Sequence, residues 1–429
     1  MSDLAASTIS LLEELIRNAC VGEGEVRNAD TLERFFAGSG ARVQRFEPEP
    51  GRVSIAFTVE GGPSEPLTLL GHTDVVAVDR PKWTVDPFAA EERDGRIYGR
   101  GATDMLYITA AMAAVTREVA RAGKPSGTLT FVGCADEEAR GGLGAGWLAE
   151  QNPAPFSWQN CLSEEGGSHL PVDGDALVVV VGEKGAAQRR LVVHGDAGHG
   201  STPYGKELAV ALIGEVAQRI AAIEPAVQRS DLWEGYVRAF RFDPATEHSL
   251  LDGHGYDSLG ELARYSHAMS HLTIAPTVLR AGSSINVLPS TAWLELDIRP
   301  LPGQTQEEID DMLREALGDL APAVEIEHLI TEDATVSTTD SSLYRAIVDT
   351  YAEFFPGAPV VPILSAGGSD LRFARRRGGV GYGFALHDRE RTLGDVLDQL
   401  HSHDEYVDVR DVELTAQAYR SLVGRFLGV

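Results

Sequence analysis

The sequence predicts an α/β protein of two domains, the smaller one inserted into the larger. Three features predict it. Apolar strands alternate with helices over residues 1–186, a β-α-β-β-α-β order takes over near residue 187, and the first style resumes after about 334. Apolar strands separated by helices call for a parallel or mixed sheet covered on both faces. The β-α-β-β-α-β order is the split βαβ pattern of a small ferredoxin-like domain. The expected division is therefore 1–186 with 334–429 for the discontinuous larger domain, and 187–333 for the insert.

Each element has a local reason. Ile9, Leu11, Leu12, Leu15 and Ile16 recur at helical spacing after Asp3, with Glu13 and Glu14 among them. That is an acidic amphipathic helix and not a signal peptide. Short apolar runs at 53–59, 67–70, 127–132 and 177–181 read as strands, and the alanine-rich stretch 108–122 as a helix stopped by Gly123 and Pro125. In the insert, 189–194, 272–278, 292–298 and 324–329 read as strands, and 207–223 and 306–317 as helices. Residues 231–271 form an irregular, partly helical stretch, expected as an insertion within the small domain. Beyond 334 come a helix over 341–355, a glycine-rich loop, a strand over 380–384 and a last helix from about 411.

Composition narrows the function classes. Of 429 residues, 37 are Lys or Arg and 64 are Asp or Glu, a formal charge of −27. Such a field repels phosphate backbones and anionic lipid, so neither nucleic acid nor a membrane surface is an expected partner. Cys20, Cys134 and Cys161 make no CxxC pair and no even framework, which suits a reducing, cytoplasmic compartment. Apolar runs stay far short of the ~18–20 residues of a membrane span.

Chemistry concentrates where strands end. Gly71-His72-Thr73-Asp74 follows the strand 67–70, and carboxyl ends of strands are where open α/β sheets bind ligands. Gly99-Arg100-Gly101-Ala102-Thr103-Asp104-Met105 precedes the alanine-rich helix, and a capping aspartate would by itself account for Asp104. Asp136-Glu137-Glu138 ends another strand, and Ser163-Glu164-Glu165-Gly166-Gly167 and His401-Ser402-His403-Asp404-Glu405 add further carboxylates and imidazoles. Each is bland alone, but five such loops in one α/β domain are not. Imidazole and carboxylate donors without a thiolate cluster fit zinc, cobalt or manganese better than copper or an iron–sulfur cluster. Asp104, Glu137, Glu138 and Glu165 carry four negative charges, which two divalent ions would match. Paired ions suit amide hydrolysis.

With Gly198-His199-Gly200-Ser201-Thr202-Pro203, Asn286-Val287-Leu288-Pro289, Asp297 and Arg299, and Gly367-Gly368-Ser369-Asp370, these motifs run in one order along nearly the whole chain. Together they resemble the dimetal peptidase family of aminoacylase, glutamate carboxypeptidase, succinyl-diaminopimelate desuccinylase and carboxypeptidase S. The Glu-Glu-Gly-Gly form and Leu272-Thr273-Ile274-Ala275-Pro276-Thr277 are most similar to its carboxypeptidase S and N-acyl-amino-acid hydrolase branch.

The resemblance implies a zinc-exopeptidase-like α/β/α catalytic domain with an inserted ferredoxin-like lid and dimerisation domain, and a homodimer. It implies that Asp104 bridges two metal ions, zinc before cobalt or manganese. His72 and Glu165 complete one site, and Glu138 and His401 the other. Glu137 is then the general base, with Asp74 orienting His72. Arg299 clamps the substrate carboxylate with help from the backbone at Gly367 and Gly368, Asn286 also binds substrate, and His199 reaches the partner's cleft. Leu106-Tyr107 and Lys206-Glu207 depart from the usual pattern beside these motifs. The implied reaction is hydrolysis of a peptide or N-acyl amino acid with a free carboxylate. Deacylation of a biosynthetic intermediate and a non-catalytic binding relative are the alternatives, and an intact Glu137 argues against the last.

Overall fold

The alternating strands and helices of the larger domain resolve into one mixed sheet. The computed structural model describes residues 2–22 and 24–429. Among these, nine strands form the sheet in the order Arg42–Glu49, Arg52–Val59, Gly127–Cys134, Ser64–His72, Asn160–Ser163, Val380–Gly383, Leu177–Glu183 and Thr335–Val336, with Val360–Ser365 also paired to Leu177–Glu183. The four strands Gly127–Cys134, Ser64–His72, Asn160–Ser163 and Val380–Gly383 run parallel to one another. Arg52–Val59 is buried at every position, as a strand covered on both faces must be.

Side chains alternate between two cores because successive residues of a strand point to opposite faces. Leu67 and Leu69 pack with the helices Asp3–Arg17, Tyr107–Ala122, Ser342–Phe354 and Val409–Leu427, whereas Leu70 packs with Ala145, Leu148 and Leu371 of the helices Ala145–Glu150 and Leu371–Arg376. Ala110, Ala111, Ala113 and Ala114 are all buried, so the alanine-rich helix lies close against its neighbours.

The insert is a four-stranded antiparallel sheet in the order Thr273–Ala281, Thr291–Arg299, Ala186–His194 and Val324–Glu332. The helices Ala209–Ala221 and Gln306–Leu317 cover one of its faces through Ile213, Val216, Ile309 and Leu313. Gln306–Leu317 starts at a reciprocal cap between Thr305 and Glu308.

The stretch 231–271 differs from expectation. It forms the helices Asp231–Ala239, Pro244–Leu251 and Ala263–Ser270, and Trp233, Tyr236, Leu250 and Leu262 pack on Val178, Val180, Val361 and Ile363 of the large sheet. It therefore covers the large sheet and not the small domain. The reason is burial: Ala145–Glu150 and Leu371–Arg376 cover only the other end of that face, leaving these β-branched residues to be buried by the insertion. Among the described residues no helix is long and apolar enough to cross a membrane.

Candidate active site

Strand ends and one helix start converge on a single point. His72 is the last residue of Ser64–His72 and is buried. Its Nε2 lies 3.1 Å from Asp104 Oδ1 and 3.4 Å from Glu164 Oε2. The other Asp104 oxygen is 3.2 Å from His401 Nε2, and that nitrogen is 3.1 Å from Glu138 Oε2. Asp104 thus stands between two imidazoles. It does not cap the following helix: Leu106 occupies the N-cap without a side-chain bond, and Asp104 itself is extended, with φ −115° and ψ 98°.

What holds Asp104 there is Glu405, which is fully buried. Its two oxygens accept from the backbone N–H groups of Gly101 (2.9 Å), Thr103 (2.7 Å) and Asp104 (3.0 Å), and from Arg100 at 2.6 Å. Arg100 also donates to the carbonyls of His401 and Ser402. One buried ion pair therefore joins the Asp104 loop to the His401 loop. The only trace of this in the sequence is the His-x-x-x-Glu spacing of His401 and Glu405.

One expectation changes and another is extended. Glu164, and not Glu165, faces His72. Glu165 sits at φ +66° and its Oε1 accepts from Ser365 Oγ at 3.1 Å. The turn after it leaves no choice: Cβ atoms on Gly166 or Gly167, at φ +89° and +69°, would lie 2.5 Å from Gly383 O and 1.9 Å from Ala385 O. The Asp74 side chain has a further task beyond the one expected. His72 Nδ1 bonds the Asp74 carbonyl oxygen at 2.9 Å and lies 3.8 Å from its Oδ1, while the carboxylate accepts from the N–H groups of Glu137 and Glu138 at 3.2 and 3.1 Å. It anchors the Glu137–Glu138 turn beside His72.

The electrostatics are those of a site built for cations. Burial alone would depress His72, but hydrogen bonds to Asp104 and Glu164 outweigh it and raise its pKa well above the usual value. Hydrogen bonds to Asp104 and Glu138 push His401 up to about 10. Burial, then the charge of a neighbouring glutamate, raises Glu137. Burial likewise raises Glu164, against the hydrogen bond and charge of His72. Two donor groups, His72 with Asp104 and Glu138, and His72 with Glu137 and Glu164, each place their ligand atoms within 4.8 Å of one another. Crowded carboxylates and outward imidazole nitrogens fit divalent cations by donor chemistry.

The cluster opens into a cleft of ≈ 380 Å³ that also meets the domain junction. Asp104, Glu137, Glu138, Glu164, Glu165 and His401 line it with Arg299, Gly367 and Gly368. Arg299 commits only its Nε, to Asp297 at 2.8 Å. His199 and Asn286 do not line this cleft. They sit together on the exposed two-stranded ribbon where Gly198–His199 pairs with Val287–Leu288.

Residues 68–425 match the sequence model of peptidase family M20/M25/M40. The chain belongs to that family. This M20 chain is 27% identical over 446 residues to the N-fatty-acyl-amino acid synthase/hydrolase PM20D1 of Xenopus tropicalis, covering 97% of this chain and 85% of that protein. It is 27% identical over 431 residues to the succinyl-diaminopimelate desuccinylase of Phenylobacterium zucineum (strain HLK1), covering 98% and 99%. Its fold matches that of an M20 family metallo-carboxypeptidase from Sulfolobus solfataricus, with a TM-score of 0.74 at 15% identity and full coverage of both chains. The M20 chain is therefore a hydrolytic enzyme of the metallopeptidase and amidohydrolase type, with the α/β fold of that family.

Proposed function

We propose that this M20 chain hydrolyses the amide bond of a peptide or N-acyl amino acid carrying a free carboxylate, with two divalent ions, zinc before cobalt or manganese, as cofactor. One observation carries the reading: Asp104 is shared between His72 and His401, with Glu137 and Glu164 on one side and Glu138 on the other. His72, Asp104 and Glu164 would hold one ion and Asp104, Glu138 and His401 the second. Bound there, the ions would supply Lewis-acid polarisation of the scissile carbonyl.

The chain's own residues do the rest. Glu137 takes a proton from the attacking water and returns it to the leaving amine. Asp74 fixes the turn that presents it. Arg299 offers its two terminal nitrogens as a fork for the substrate carboxylate, with the Gly367 and Gly368 backbone beside it.

The cleft is completed by a second copy. Tyr204, Leu208, Val210, Leu279, Ile285 and Val287 are apolar and exposed on the insert, around the ribbon that carries His199 and Asn286 and the edge strand Thr273–Ala281. A C₂ dimer through this face would bury them and bring His199 and Asn286 to the partner's cleft. The three cysteines are buried and unpaired, consistent with a cytoplasmic enzyme.

The experiment is turnover on a panel of N-acyl amino acids, dipeptides and their C-terminal amides, with and without chelator. Cleavage that chelator abolishes and zinc, cobalt or manganese restores is expected, with the amides cleaved poorly. Failure to cleave any member in the presence of metal would sink the reading.

A further inference from the structure

Resting on that reading, we infer that the substrate is a mono-anionic amphiphile, whose apolar arm lies against a wall formed by Val180, Tyr265, Ile363, Val396, Leu397 and Leu400.

These six side chains line the cleft together, and they come from four separate elements. Val180 and Ile363 are on neighbouring strands of the large sheet. Val396 and Leu397 lie on the helix Leu393–Gln399, and Leu400 directly precedes His401. Tyr265 comes from the helix Ala263–Ser270, the end of the stretch that covers the sheet's second face. Its hydroxyl is already used, donating to Leu364 O at 2.7 Å, so the ring is what it offers the cleft.

The wall is the open edge of a packed core and not a scatter of exposed residues. Val180 and Ile363 belong to the same apolar cluster as Trp233 and Leu262, and Tyr265 and Leu397 pack against it. Lys184 pins the helical stretch in place: its buried ammonium donates to the carbonyls of Ala268 and His271 and to Thr273 Oγ1, at 2.8, 2.7 and 3.1 Å. A preformed apolar surface beside a few fixed polar groups is what binds an apolar ligand arm.

The charges of the cleft decide what the rest of the substrate carries. Five Lys and Arg side chains line it, all outside the wall: Arg140, Lys184, Arg299, Arg372 and Arg376. Lys184 is fully engaged, as above. Arg140 pairs with Glu332 at 2.6 Å, and Arg376 lies 3.9 Å from the same carboxylate. Arg372 donates to the carbonyls of Ser369 and Arg140. Of these five, only Arg299 has neither terminal nitrogen in a hydrogen bond or ion pair. One open cation accepts one carboxylate. A second carboxylate on the arm, as in a succinyl group, would face apolar side chains and the glutamates of the site, and would be disfavoured by desolvation.

The test varies one arm at a time. N-acylglycines from acetyl to hexanoyl, and N-acetyl amino acids from alanine to leucine and phenylalanine, are compared by kcat/KM with N-succinyl amino acids. Burial of each methylene predicts a rise of about fourfold, roughly a hundredfold or more from acetyl to hexanoyl, in whichever series reaches the wall. Val396→Asp, or Leu397→Gln if that variant does not fold, should reduce this length dependence at least tenfold at unchanged metal content. Non-cleavable 4-oxoalkanoates, in which CH₂ replaces the N–H of each acylglycine, report binding separately, by calorimetry, and should tighten with length in parallel. Flat dependence in both series, or preference for succinyl over butanoyl, overturns the inference while leaving the hydrolase reading intact. If neither an acylated amino acid nor a dipeptide is cleaved, the hydrolase reading fails, and the 4-oxoalkanoate series decides the wall: tightening with length upholds it, and no tightening overturns it.

Discussion

Replacing Glu405 by Gln tests whether the site is held by the buried pair beneath it. One carboxylate oxygen accepts from Arg100 and Gly101, and the other from Thr103 and Asp104. An amide keeps a single acceptor and turns its NH₂ toward two donors. Hydrogen bonds to a charged acceptor contribute about 1.5–3 kcal/mol each, and breaking a buried ion pair costs about 3–5 kcal/mol. These figures describe the same loss and do not add. Burial already pushes Glu405 up to about 7, so part of the anion's benefit is offset by desolvation. The lower end, about 3 kcal/mol, is therefore expected. Because Arg100 also holds the His401 and Ser402 carbonyls, the loss reaches both loops that carry the cluster. Metal affinity should fall about 10–100-fold, as for other groups that support a ligand from behind. A chelator-competition titration, with the melting temperature measured alongside, reads this directly. A variant that binds metal within twofold of wild type and melts at the same temperature would refute the reasoning.

Four further outcomes follow. Glu137→Gln should keep its metal but lose at least ~10²–10⁴-fold in kcat, since an amide cannot carry the proton; near-normal turnover in metal-replete protein would contradict the base assignment. Glu164→Ala should lower metal content in gel-filtered protein while Glu165→Ala leaves it nearly unchanged, and the reverse order would restore Glu165 as the ligand. The metal-free protein should lose stability as pH rises from about 5 to 9. Glu165 and Glu405 (both raised to about 7 by burial) and His401 (about 10, through its carboxylate partners) bind more protons folded than unfolded between their ordinary and shifted values, so the slope is negative; thermal melts should show the gap between loaded and metal-free protein widening with pH, and a constant gap would count against it. Mixing inactive Glu137→Gln with inactive His199→Ala should regain activity through heterodimers with one intact site, and demonstrated subunit exchange without recovery would exclude a role for His199 across the interface.

How much of this was legible depends on where each residue's constraints lie. Strands covered on both faces, such as Arg52–Val59 and Leu177–Glu183, show as apolar runs because every position is buried. The edge strand Arg42–Glu49 does not, because its side chains alternate between exposed and half-buried and are mostly polar. Val360–Ser365, expected as part of a glycine-rich loop, is held as a strand by its pairing with Leu177–Glu183. At the site, glycines beside strand-end carboxylates and imidazoles marked His72, Asp104, Glu138 and His401, which the fold brings within hydrogen-bonding distance of one another. They could not separate Glu164 from Glu165. Adjacent carboxylates differ only in the direction the backbone turns them, and that direction comes from the Gly383 and Ala385 carbonyls packed against Gly166 and Gly167.

The sequence by itself determined the α/β class and the family to which the chain belongs, and it marked the strand ends where imidazoles and carboxylates gather. Those properties are written in periodicity and in short spacings, which are local. The tertiary structure alone decided which glutamate faces His72, that Asp74 supports the Glu137 turn, that Glu405 and Arg100 tie two distant loops together, and that residues 231–271 cover the catalytic sheet and lend Tyr265 to the cleft. Each of these depends on segments far apart in the chain being pressed into contact by burial of a shared apolar core, and on buried polar groups then finding the partners that contact allows.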